Sequence, residues 1–221
     1  SIRGIKANVE NVDCSPIKKT WSSIKKLILN SHLEEKLKKL IYKVFESLAN
    51  AEGKVHGIKS EDVHFHEIGA IDSLVDIIGV CAAFNYLNPK KVYCNEPMLG
   101  KGFVQTEHGK LSVPTPAVIE LIKQKNIRVL SSFDLIEGEL STPTGIALLS
   151  NLVNNLQPPS KYSIDSYGVG IGNLKLPFAN LVRIYKIASF ENSSINKQIN
   201  PKFEEISLQE AWIDDQTPED I

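Results

Sequence analysis

The sequence lacks any Cys-x-x-Cys pair. Its three cysteines, Cys14, Cys81 and Cys94, are odd in number and far apart, which argues against both a cysteine zinc cage and a disulfide framework and fits a reducing, cytoplasmic setting. Nor is there an excess of one charge. Lys plus Arg number 25 and Asp plus Glu 26, a formal net of −1, so neither a generally basic nucleic-acid surface nor an acidic tail is expected. No apolar run approaches the roughly 18 to 20 residues that span a bilayer, so a membrane protein is not expected. Methionine is almost absent, Met98 being the only one, and the chain opens at Ser1 without a signal-peptide pattern. At the other end, Ala211-Trp212-Ile213-Asp214-Asp215-Gln216-Thr217-Pro218-Glu219 starts a fresh segment after a polar stretch. Both ends lead us to expect part of a longer protein.

What is present suffices for a folded core. With 221 residues, 42% apolar and 23% charged, the chain can bury a core without metal or disulfide staples. Residues 2–12 read as a short strand, and Thr20 as the N-cap of a helix carrying Trp21, Ile24, Leu27 and Ile28 at helical spacing. A longer amphipathic helix is expected from Glu34 to about His56, with Leu37, Leu40, Ile41, Val44, Phe45 and Leu48 on one face. Residues 63–69 alternate like a strand. Residues 70–85 then turn helical and so apolar that Leu74, Val75, Ile77, Ile78, Val80, Cys81 and Phe84 nearly surround the axis, as in a core helix.

Further strands are expected at 91–99, 103–105, 127–130, 161–169 and 180–188, and helices opening at Thr115-Pro116 and Thr142-Pro143. The elements are mixed without a βαβ rhythm, which points to α+β, a mixed sheet with several packed helices. The organisation expected is a main α+β domain over 1–188, a polar linker over 189–210 and, at 211–221, the start of a truncated C-terminal domain.

The histidines carry the most chemistry. His64 and His66 are two apart, so on a strand their imidazoles share a face, with Glu67 and the helical Asp72 near by. Two imidazoles and a carboxylate suit a divalent transition metal such as zinc, nickel, copper or iron, and His56 and His108 are spare ligands if the fold brings them in. The plainer alternative is that His64 and His66 hydrogen-bond within the strand-to-helix join, and an acid or base role for His66 or Glu67 is a third. The stretch Gly168-Val169-Gly170-Ile171-Gly172 could crowd backbone N–H groups around a phosphate, or be a hairpin or bulge with permissive glycines. No helix follows it, so it is no dinucleotide fingerprint. Thr142 and Thr144 open a helix whose free N–H groups could hold an anion or simply be capped. Cys81 and Cys94 sit in apolar contexts and read as core.

The run Val63-His64-Phe65-His66-Glu67-Ile68-Gly69-Ala70-Ile71-Asp72-Ser73-Leu74-Val75-Asp76-Ile77-Ile78-Gly79 closely resembles the signature of the nickel-insertion family, which makes the nickel-pincer nucleotide cofactor. The resemblance continues at 92–94, at Gly100-Lys101-Gly102-Phe103-Val104, at His108-Gly109-Lys110-Leu111-Ser112-Val113-Pro114-Thr115-Pro116-Ala117, at 136–145 and at Tyr167-Gly168-Val169-Gly170. It covers roughly two-thirds of the chain in the family's order, far more than a short motif would.

The resemblance implies a lyase-class insertion of nickel into a pyridinium dithiocarboxylate mononucleotide. Two sulfur–nickel bonds and one carbon–nickel bond form, and CTP is hydrolysed with a divalent metal, Mg or Mn. It further implies His64, His66 and His108 as transient nickel ligands, and Glu67 or Asp72 as the group that orients an imidazole or takes the ring proton. Nucleotide phosphate contacts would fall to Thr142, Thr144, Gly168 and Gly170. The chain departs from the family in having no Ser-Gly-x-x-Gly-Asp stretch before Ile2 and in carrying Gln216 after Ile213-Asp214-Asp215, where Met is usual. The family's CTP site lies beyond that point, so binding without turnover is the expected behaviour. Two other classes fit the residues: a non-catalytic metal-binding or delivery module, and a metal-dependent phosphate-ester hydrolase built on His64, His66, Asp72 and His108. A homo-oligomer is compatible with all three.

Overall fold

A computed structural model describes residues 3–10, 20–65, 71–130, 137–154, 157–189 and 205–209. The chain divides into two compact units, one of residues 8–88 and 98–152, the other of residues 1–7, 89–97 and 153–221. The first unit holds helices α1 (Trp21–Asn30), α2 (Glu35–His56), α3 (Ile71–Leu87), α4 (Pro116–Lys125) and α5 (Pro143–Leu152). Among the described residues it also holds the short strands β1 (Gly100–Lys101), β2 (Phe103–Thr106), β3 (Gly109–Ser112) and β4 (Gly138–Glu139). The second contains β5 (Tyr162–Ile171), β6 (Leu181–Ser189) and β7 (Glu205–Gln209).

The α+β reading is borne out. The sheets are small and antiparallel, β1 with β4, β2 with β3, and β5-β6-β7. Among the described residues, parallel pairing is confined to isolated bridges such as Ile5 with Gly170. Strand β7 falls inside the stretch expected as a linker; residues 190–204 and 211–221 lie outside the described residues, as does Cys14.

Helix α2 organises the first unit, because its apolar stripe is long enough to meet α1, α3, α4 and α5. Leu37, Ile41, Val44, Phe45 and Leu48 are buried as their spacing requires. Trp21 stacks over Phe45 with ring centroids 6.5 Å apart, and Phe45 meets Phe65 at 6.3 Å, so the aromatic core reaches from α1 to the segment bearing His64. Thr20 caps α1 as expected, its hydroxyl oxygen accepting from the Ser23 N–H at 3.2 Å. Among the described residues no helix is long and apolar enough to cross a membrane.

Two expectations need correcting. Helix α3 is not surrounded by core: Leu74, Ile77 and Cys81 are buried, whereas Val75 and Val80 are 47% and 42% exposed. Only one stripe of α3 touches α2 and α5, so the apolar residues on its other side stay in contact with water. Residues 91–99 and 127–130 form no regular strands. The first carries Pro97, which donates no ladder hydrogen bond, and spends Val92 on the Asn154 side chain and backbone, at 3.0 Å each. The second keeps a single parallel bridge, Leu130 with Met98.

Cys81 and Cys94 are buried, as their apolar context indicated. Burial pushes the Cys81 thiol from its ordinary 9.0 up to about 12. The folded chain therefore keeps this proton where the unfolded chain has lost it. Its contribution to stability is complete below pH 9 and is lost as pH rises toward 12. At pH 8, iodoacetamide should leave Cys81 unmodified until denaturant is added, as read by peptide mass mapping; rapid labelling of the folded chain would show that the thiol is accessible.

Candidate functional site

Val63 and Phe65 are buried and His64 between them is exposed, so the alternation seen in the sequence turns His64 outward and clamps the segment by its apolar neighbours. The backbone of His64 bridges Thr20 in antiparallel fashion. The Trp21 N–H, one of the donors that a helix start leaves unpaired, donates to the Val63 carbonyl at 3.0 Å. His64 is thus fixed beside the start of α1. His66 and Glu67 lie outside the described residues; Asp72 stands in the first turn of α3 by its backbone, its side chain likewise outside what is described.

His108 occupies the tip of the β2–β3 hairpin, whose register pairs Thr106 with Gly109. The turn works because the left-handed position, φ 93°, falls on Gly109. The Thr106 hydroxyl donates to the Gly109 carbonyl at 2.8 Å and accepts from the His108 N–H at 3.1 Å. This tip meets the end of α2. The helix stops at His56 because Gly57 takes φ 66°, with Ile58 N–H donating to Gly53 O at 2.9 Å and Gly57 N–H to Lys54 O at 3.4 Å, a Schellman closure. Gly53 is required there, since a β-carbon would stand 2.9 Å from the Ile58 carbonyl oxygen.

The rings of His56 and His108 consequently stand 4.9 Å apart, centroid to centroid, tilted by 45°. Glu52, one turn earlier, places Oε2 3.5 Å from Nε2 of His56. The three side chains border a cavity of about 240 Å³ whose other walls include Val55, Leu111, Pro116 and Ala117. The spare ligand His56 is thus brought to His108. Glu52 was missed, although its spacing of four from His56 was a legible signal. Among the described residues no three His, Cys, Asp or Glu side chains form a group that could hold a metal.

The anion candidates are placed as follows. The Thr142 oxygen accepts from the Gly145 N–H at 3.2 Å and so caps α5. Thr115 takes the N-cap position of α4, but its hydroxyl donates instead to Glu139 Oε1 at 3.3 Å. Gly168 and Gly170 lie within β5, opposite Ile184 and Val182, and a β-carbon on either would meet nothing within 4 Å. The bulge in this pairing falls between Ile164 and Ser166. Thr142→Ala should cost about 1 kcal/mol of stability, read by urea denaturation; no loss would mean that the hydroxyl does not serve the cap.

The sequence model of the nickel insertion protein family matches residues 1–221. The chain belongs to that family. It is 40% identical over 217 residues to a protein of Synechococcus sp. (strain JA-3-3Ab) provisionally named as a nickel insertion protein, covering 98% of this chain and 52% of the relative. It is 37% identical over 198 residues to the pyridinium-3,5-bisthiocarboxylic acid mononucleotide nickel insertion protein of Acetivibrio thermocellus, covering 90% and 46%. A Geobacter sp. (strain M21) relative with the same provisional name is 38% identical over 199 residues, covering 90% and 49%. The chain spans about half the length of the curated relatives it matches. No solved structure matches it. Of the described imidazoles, the outward His64 on its clamped segment and His108 on the β2–β3 tip stand in the runs through which the sequence resembles this family.

Proposed function

We propose that this chain is the nickel-holding half of a protein that inserts nickel into a pyridinium-3,5-bisthiocarboxylic acid mononucleotide. The observation that carries the proposal is the family match over residues 1–221 together with the relative named for that substrate. The chemistry required is a site that binds nickel through borderline ligands and gives it up again, contacts for a phosphate, and a base for the ring proton.

In this reading His64, His66 and His108 ligate nickel as cargo. Glu67 or Asp72 orients an imidazole or accepts the proton released when ring carbon bonds the metal. Thr142 and Thr144, or Gly168 and Gly170, contact the nucleotide phosphate. CTP, hydrolysed with Mg or Mn, acts through the remaining half of the protein, and the lyase classification and the cytoplasmic setting belong to the same proposal. A chain that binds the ion without turnover, the behaviour of a metal-delivery module, is then what this half should show by itself.

Equilibrium dialysis against nickel, zinc and manganese tests the ligand assignment. The tag-free chain should retain nickel, and a His64→Ala, His66→Ala variant should retain markedly less. Equal retention by both forms would remove those histidines from the ligand set.

A further inference from the structure

The cavity of about 240 Å³ at the end of α2 has two unlike kinds of wall. Val55 of α2, Leu111 of β3 and the Pro116-Ala117 start of α4 supply apolar surface, while Glu52, His56 and His108 supply polar atoms. Small-molecule sites are built in this way, from apolar walls and a few convergent polar groups. The size narrows the ligand. A cavity of about 150 Å³ admits benzene, whereas sites for whole drug-sized ligands run from roughly 300 to 1,000 Å³. A single six-membered ring with short arms therefore fits here, and a nucleotide does not.

The polar groups narrow it further. Among the described residues no three His, Cys, Asp or Glu side chains can hold a metal ion, so these groups suit an organic ligand. Glu52 places a carboxylate oxygen 3.5 Å from Nε2 of His56, and a carboxylate at the wall of an apolar space favours positive charge in the ligand. An imidazole carries at least one N–H whether neutral or protonated, so His56 and His108 can donate to anionic arms. The start of α4 acts in the same sense. No side chain caps it, because the Thr115 hydroxyl goes to Glu139, and Pro116-Ala117 bring the positive end of that helix to the cavity wall.

We propose that this cavity is a binding site for a pyridinium ring bearing carboxylate-type arms, the cationic ring beside Glu52 and the arms at His56, His108 and the start of α4. It needs no metal. That its natural ligand is the ring of the bisthiocarboxylate mononucleotide rests on the function proposed above; the ribose and phosphate, too large for the remaining space, then stay outside the cavity.

The test is a metal-free NMR titration of the tag-free chain. The probes are 1-methylpyridinium-3,5-dicarboxylate, pyridine-3,5-dicarboxylate, whose ring is uncharged at neutral pH, and the pyridinium-3,5-bisthiocarboxylic acid mononucleotide. Wild type should bind the methylated probe about fivefold or more tightly than the uncharged one, since the rings differ chiefly in the charge that Glu52 meets. Glu52→Gln should bring those two affinities together, a change that a loss of packing does not produce. Val55→Phe fills the cavity from a position that is 38% exposed, and His108→Phe keeps a ring while removing both nitrogens. Each should weaken every probe by about tenfold or more, with thermal melting as the check on the fold. Wild-type affinity in both Val55→Phe and His108→Phe would overturn the site, and so would a wild-type chain that binds none of the probes or shows no preference for the methylated ring. A mononucleotide that binds wild type and the folded Val55→Phe and His108→Phe variants alike would refute the cavity and leave the proposed function standing. Ring probes that behave as expected while the mononucleotide fails to bind would support the ring site and refute the substrate reading.

Discussion

Phe65→Ala is expected to cost about 3 to 5 kcal/mol of folding stability, a large share of the roughly 5 to 15 kcal/mol that such a domain possesses. The ring is 1% exposed and leans on Phe45, which stacks in turn with Trp21. Removing it opens a cavity where three aromatic residues meet and takes away one of the two apolar side chains that hold His64 outward. Nickel retention should therefore fall although both histidines of the His-Phe-His run are unchanged. His64→Ala, at an exposed position, should stay within about 0.5 kcal/mol of wild type. Urea denaturation of the two variants separates them; a Phe65→Ala chain as stable as wild type would show that the segment does not depend on the core beneath it.

Gly100→Ala should have a comparable effect for a different reason. Gly100 has φ 81°, where a β-carbon costs roughly 1 to 2 kcal/mol. That atom would also collide with the Gly138 carbonyl oxygen of the paired strand and press on Leu140. Because the obstacle is backbone, the β1–β4 pairing must open to admit it, and the total loss should be on the order of 3 kcal/mol or more. Gly109 makes the contrast: its φ is 93° but a β-carbon there meets nothing within 4 Å, so Gly109→Ala should cost only the conformational part, about 1 to 2 kcal/mol. Equal melting temperatures for the two variants would contradict the collision.

The helices were legible because their ends are written locally. Thr20, the two Thr-Pro openings and Gly57 each supply a backbone constraint that needs no distant partner, and the observed helix bounds follow them. The strands at 103–106, 162–171 and 181–189 were legible from alternation and turns. The exposed side of α3 was not, since apolar content does not say how many neighbours a helix will meet, and here one stripe is covered. Residues 91–99 looked like a strand by composition, but pairing depends on a partner that the local sequence does not name. The site divides in the same way: His64 could be placed from the alternation around it, whereas the meeting of His56 with His108 depends on where a hairpin tip lands against α2, a long-range outcome with only the Glu52–His56 spacing as a local hint.

The central claim is that this chain is the nickel-holding half of a nickel insertion protein. It is tested most directly by supplying nickel, CTP, a divalent metal and the pyridinium bisthiocarboxylate mononucleotide to this chain and to the protein extended to the full length of its relatives. The mass of the nucleotide product is then followed. The account predicts nickel-loaded nucleotide from the extended protein only, with nickel bound but not transferred by the chain alone. An extended protein that leaves the nucleotide nickel-free under these conditions, or a chain alone that completes the insertion, would contradict it.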